Sequence, residues 1–206
     1  VAGLPRSRKE NSLKIRAGIT LAMLLSASAG VRAQAQDPER AQPAAAAGYV
    51  EIAPRITNVH GRAAPVLGAT AMLGLPGGWK AGGTAVFLLK GVSVAPEELH
   101  MGYGGVLLES PARPLPALGP ALWWANVTVG AGNASIRDPL SGTRLRSDNF
   151  FILDQSASVG ILVLPRLQAA GLAGFRLALG VGGLGVVDGR ALGGWTLGAS
   201  LRFGPF

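Results

Sequence analysis

The 206-residue chain contains two histidines, His60 and His100, and no cysteine. Thiolate nucleophiles, thiolate metal ligands and disulfides are therefore excluded. Imidazole, serine and carboxylate are left for nucleophilic or acid–base chemistry. A His-x-Ser spacing on an extended segment would place both side chains on one face, as an acyl-transfer site requires. His100 is followed by Met101 and Gly102, so that spacing is absent. Both histidines fall near the ends of extended segments, where a Ser–His–acid cluster would have to be assembled across strands. The glycine-rich run GLGVVDG (183–189) lacks the strand–loop–helix setting of a dinucleotide site. The expectation is a chain that is not an enzyme, with no cofactor, metal or catalytic residue.

A second set of polar groups is better organised. Glu51, Arg55, Lys80, Asp154, Arg176 and Arg202 all fall on the less apolar parity of alternating segments. From Tyr49 onward period-2 alternation recurs and helical spacing does not, and the 31 glycines argue against long helices. Eight strands are predicted, at about 48–58, 65–75, 79–90, 99–110, 120–132, 149–164, 173–185 and 192–206. In the first, Val50, Ile52 and Ile56 oppose Glu51, Arg55 and Thr57. In the sixth, Phe151, Leu153, Val159 and Ile161 oppose Asp154, Ser156, Ser158 and Gly160, with Gln155 the one polar residue on the bulky side. The fourth alternates poorly, and its facing is left open.

In a soluble barrel the bulky face turns inward and the other face carries many charges. Here the second face is mostly Gly, Ser and Thr, a composition that weakens a water-facing strand. The inverted assignment fits better: bulky residues face lipid, and small or polar residues fill a narrow bore. A mean hydropathy of +0.35 agrees. The expected fold is all-β, an eight-stranded antiparallel up-and-down transmembrane β-barrel over 48–206. Its longest polar connector would be an outer loop at 133–148.

The first residues read differently. Arg6, Arg8, Lys9, Lys14 and Arg16 precede the apolar run AGITLAMLLSASAG (17–30), and Ala33-Gln34-Ala35 offers small residues at −3 and −1. Basic start, short apolar core and small-residue exit are the parts of a cleavable signal peptide, assigned to 1–35. Residues 36–47, QDPERAQPAAAA, read as a flexible leader. The net charge of +8 is concentrated in that signal. Beyond residue 35, thirteen basic groups face ten acids, so the mature chain is only +3 and nucleic acid is not an expected partner.

With these patterns in place, residues 48–206 resemble the small eight-stranded outer-membrane barrels, the class that contains the OmpA barrel domain and OmpX-like proteins. That resemblance implies Sec-type export to the outer membrane, outer-membrane lipid and the barrel-assembly machinery as partners, and a monomer. It also implies that the terminal aromatic, Phe206, is an assembly signal, although Gly204-Pro205 puts Phe203 and Leu201 out of phase with it. Trp79 and Phe203 read as interface aromatics. The six bore charges read as a mutually paired polar network, the alternative being a charge-lined permeation path. The expected role is non-catalytic, structural or surface-interacting. The alternatives are a lipid-modifying enzyme, a narrow channel and a secreted soluble barrel with an apolar ligand inside.

Overall fold

The computed structural model describes residues 48–185 and 187–206. The expected signal and leader, 1–47, lie outside the described residues. Ten strands form one antiparallel sheet: β1 Gly48–Val59, β2 Arg62–Gly74, β3 Lys80–Leu88, β4 Val92–Val94, β5 Glu97–Glu109, β6 Arg113–Pro114, β7 Leu122–Arg137, β8 Arg144–Leu164, β9 Leu167–Leu179 and β10 Gly194–Phe203. Eight of them close a ring in the order β1-β2-β3-β5-β7-β8-β9-β10, with β10 returning to β1. The short β4 folds back on β5, and β6 adds two residues beside β7. Closure leaves no free edge, which a sheet in hydrocarbon cannot tolerate.

The alternation read from the sequence sets the two faces. Val50, Ile52 and Ile56 on β1, Leu73 on β2, Phe87 on β3, Phe151 on β8 and Leu197 on β10 are exposed around the outside. Glu51, Thr70, Thr84, Thr128, Ser158, Arg176 and Thr196 are buried within. A barrel with an apolar exterior and a polar interior is built to span a membrane. On β5, whose facing the sequence leaves open, Met101, Tyr103, Leu107 and Glu109 turn inward, while Val106 and Leu108 turn outward.

The connections depart from expectation in informative ways. His60 and Gly61 both have positive φ, 50° and 74°, so β1 and β2 join through a two-residue primed turn rather than a six-residue connector. The segment expected as a loop at 133–148 instead continues β7 and β8 as a hairpin, with Asn133 opposite Asn149 and Ser135 opposite Ser147. Polar pairs sustain an antiparallel ladder beyond the membrane as well as apolar pairs do within it. Only residues 138–143 remain as its turn. The strand expected at 173–185 runs earlier, over Leu167–Leu179, because β8 and β9 are joined by Pro165-Arg166 alone. Gly180, at φ 89°, then ends β9.

That shift frees 180–193 to form a long connector containing one helical turn, α1 Gly189–Leu192, capped by Asp188, whose side chain accepts from the Ala191 N–H at 2.9 Å. Leu184, Val187 and Leu192 from this connector are buried among Val59, Val66, Leu99, Ile136, Phe150 and Ile152. The Gly/Ser/Thr-lined bore expected from the sequence is therefore confined to the other half of the barrel. At the loop end an apolar plug fills it.

Gly105 on β5 faces Gly130 on β7 across the ladder. A Cβ on either residue would overlap the partner strand's backbone, at the Val129 and Gly104 carbonyl oxygens respectively. Gly171, by contrast, faces open space. Gly130→Ala is expected to cost about 1–3 kcal/mol, and Gly171→Ala to stay within about 0.5 kcal/mol. Urea unfolding followed by heat-modifiable gel mobility measures both.

Candidate functional site

Two polar clusters occupy the bore, and strand register creates both. Closing the ring sets Glu51 opposite Arg202, and the β3–β5 ladder sets Lys80 opposite Glu109. Arg202 Nε donates to Glu51 Oε2 at 2.6 Å, and Arg202 Nη2 lies 2.9 Å from Glu109 Oε2. Lys80 Nζ reaches Glu109 Oε1 at 2.8 Å, and the Tyr49 hydroxyl donates to Oε2 of the same carboxylate. Arg55 Nη2 stands 3.6 Å from the second oxygen of Glu51. The Arg202 guanidinium also lies over the rings of Trp124, at 4.1 Å, and Tyr49, at 4.5 Å. These charges are almost wholly removed from water, and each ion pair is supported by further hydrogen bonds or ring faces, as burial demands.

The second cluster lies under the plug. Tyr103 donates to Asp154 Oδ2 at 2.6 Å. Arg176 sits opposite Asp154 in register yet forms no ion pair with it. Its Nε donates to the Leu192 carbonyl at 2.8 Å and its Nη2 to the Asn58 carbonyl at 3.3 Å. Arg176 thus ties the end of α1 to β1. Thr57 and Thr196 hydroxyls meet at 3.0 Å beside it.

All six charges predicted for the bore point inward, but only four are joined directly by ion pairs, and the acid that binds two of them, Lys80 and Arg202, is absent from the sequence expectation. Glu109 and Tyr49 complete the first cluster. Glu109 escaped because both parities of β5 mix glycine with apolar residues. Its signal was the inward parity of Lys80, whose cross-strand neighbour it is. Trp79 stands half-buried in the turn between β2 and β3, and Phe203 is exposed at the end of β10. Phe206 lies beyond the strand, its ring centroid 6.1 Å from that of Tyr49. These three share the end of the barrel opposite the plug.

The histidines remain at the plugged end. His60 forms the first hairpin turn. His100 Nε2 is 3.5 Å from Glu98, and Ser135 is its neighbour across the β5–β7 ladder. The register therefore brings a serine, a histidine and an acid to one patch, without a histidine–serine hydrogen bond. Among the described residues, no group of three or more metal-ligating side chains gathers.

An eight-stranded ring with an apolar outside, a paired polar core and one elongated hairpin decides the architecture. The fold is that of the small outer-membrane β-barrels. The chain is similar to Neisserial surface protein A, with 13% identity and a TM-score of 0.57 over 76% of this chain and 95% of that one. Ail, the attachment invasion locus protein of Yersinia pestis solved with the heparin analogue sucrose octasulfate, aligns at 15% identity and TM-score 0.44, covering 77% and 97%. A major outer membrane protein of Thermus thermophilus aligns at 13% and 0.43, covering 76% and 99%. No protein-family model matches the chain, and no curated protein does.

The plugged end carries one more electrostatic device. Asp148, on the projecting part of β8, accepts the N–H groups of Gly182 and Gly183 at 2.8 and 2.7 Å. Those two bonds hold its carboxyl below the usual carboxylate range. Because the folded-state value is the lower one, this tether is complete above the usual range and is lost as pH falls through the depressed value. The Gly182 and Gly183 amide resonances are expected to stay constant from neutral pH through the ordinary carboxylate range and to move only below it, with Asp148→Asn abolishing that transition.

Arg202→Met removes the cation shared by two buried carboxylates and is expected to cost about 3–5 kcal/mol in urea unfolding. Adding Glu51→Gln, which leaves the Lys80–Glu109 pair intact, should restore part of that loss, a non-additivity that marks direct coupling.

Proposed function

We propose that this chain is an exported outer-membrane protein with a non-catalytic role, a rigid plugged barrel that presents one face of loops and an extended hairpin for surface interaction. The observation that carries this reading is the sealed bore. Leu184, Val187 and Leu192 are packed into the loop end, and Arg176 moors them through two backbone carbonyls. A bore filled at its loop end disfavours a solute path, and an apolar exterior supports a working surface at the rims. The β7–β8 hairpin, the longest projection, is the principal contact element. Outer-membrane lipid surrounds the belt, with Trp79 and Phe203 at the inner interface. Phe206 and the strand preceding it would engage the assembly machinery. The barrel acts as a monomer.

Membrane fractionation combined with gel mobility before and after boiling tests this directly. The protein is expected in the outer-membrane fraction and to migrate differently when unfolded. Recovery in the aqueous fraction with unchanged mobility would favour a secreted soluble barrel instead. In planar bilayers the purified protein is expected to give no resolved conductance steps. Turnover of a lipid acyl ester by the detergent-solubilised protein, abolished by His100→Ala, would replace the non-catalytic reading with an enzyme.

A further inference from the structure

We propose that the outward face formed by the ends of β5, β7 and β8 docks the phosphate-bearing headgroup of an anionic outer-leaflet lipid, a reading that rests on the membrane barrel above. The face is built row by row from the ladder. Glu98, Arg137 and Arg144 form the outermost row. His100, Ser135 and Ser147 lie beneath it, followed by Gly102, Asn133 and Asn149. The next outward positions return to the apolar belt.

Arg137 and Arg144 are ladder partners just past a register shift after Ile136, an arrangement of like charges that weakens a sheet unless something answers it. The acids nearby are engaged elsewhere. Glu97 binds Arg146 through both oxygens, at 2.8 and 2.6 Å, and Glu98 faces His100. Asp148 is bound by Gly182 and Gly183, and Asp138 by the N–H groups of Leu140 and Ser141. Among the described residues, neither arginine has an ion-pair partner. Arg137 Nε is in addition a buried donor without an acceptor. Two ladder-paired arginines without ion-pair partners suit a phosphate, which accepts bidentate hydrogen bonds and would cancel their repulsion.

What lies below selects an amphiphile over a free anion. Ser147, Asn133 and Asn149 present hydroxyl and amide groups at the level a headgroup sugar would occupy. Beside and beneath them, Gly102, Gly104 and Ala131 make a low strip on the barrel wall, flanked by the exposed rings of Phe87 and Phe151. An acyl chain lying along that strip brings its own phosphate to the arginines. A soluble anion would use the arginines and leave the strip bare.

Native mass spectrometry of the full detergent-solubilised barrel, titrated with bis-phosphorylated lipid A and with its dephosphorylated form, tests the proposal. The unaltered protein is expected to retain the phosphorylated lipid at least about tenfold more tightly than R137Q/R144Q. The dephosphorylated lipid should bind both alike. R62Q/R190Q, which alters other basic residues of the same end, should bind like the unaltered protein. Heat-modifiable mobility checks that the double variant folds, and Arg144→Gln alone, at an exposed site, should still weaken binding about threefold or more. Equal retention of phosphorylated lipid by the unaltered protein and R137Q/R144Q, equal losses in R62Q/R190Q, or no preference for phosphate would overturn the proposal. A folded, membrane-inserted barrel with that outcome leaves the barrel reading intact, whereas a water-soluble chain overturns both.

Discussion

Everything in this molecule depends on the pairing of its first strand with its last. Between Val50–Phe203 and Thr57–Thr196 the β1–β10 ladder removes the last unpaired backbone groups from a sheet that faces hydrocarbon. Lipid offers no substitute partner for an exposed N–H or C=O, so an open sheet of the same strands would not be stable there. Closure also determines the contents of the bore. Once eight strands form a ring, the enclosed volume is barely larger than the side chains that point into it. Each inward residue is then forced against residues from strands remote in sequence, as Tyr49 is against Glu109.

The bore is divided between two ways of filling that volume. At one end, carboxylates, guanidinium groups, an ammonium group and aromatic faces pair with one another, leaving Arg55 Nε and Trp124 Nε1 as buried donors without partners. At the other, aliphatic side chains from a connector occupy space that the barrel wall leaves. Arg176 belongs to both. Its side chain is fully buried, its Nε and Nη2 donate to carbonyls rather than carboxylates while Nη1 has no hydrogen-bond partner, and its charge lies 5.6 Å from the Tyr103 ring. Buried cations that bind carbonyls fix backbone position, and here they hold a connector to a strand.

The two-faced strands were legible in the sequence because period-2 alternation maps directly onto inside and outside. β1, β7 and β8 carry that signal strongly, and their facing follows residue by residue. What stayed hidden depended on pairing between strands. β5 has glycine at outward and inward positions alike, so its alternation is blurred, and Glu109 became readable only through Lys80 opposite it. The boundary of β9 was displaced because Pro165-Arg166 gives a tight turn that the surrounding apolar residues conceal. The projecting hairpin was missed because polar composition resembles a loop, whereas Asn133, Ser135, Ser147 and Asn149 are cross-strand partners. The plug left almost no local trace: Leu184 and Val187 sit in a glycine-rich run whose burial is decided by the cavity above β1 and β9.

The seam also has a temporal meaning. Glu51 emerges near the start of the barrel sequence, while its strongest partner, Arg202, is carried by β10. Glu109 likewise has Lys80 available early but gains its second cation only when that strand arrives. Until then Glu51 has only Arg55, at 3.6 Å, and Glu109 only Lys80, so neither carboxylate has its full set of cation partners. Docking of β10 brings Arg202 to both carboxylates and completes the backbone ladder in one event. The same arginine therefore couples closure of the sheet to satisfaction of the bore charges, so that a barrel lacking this strand forfeits both at once.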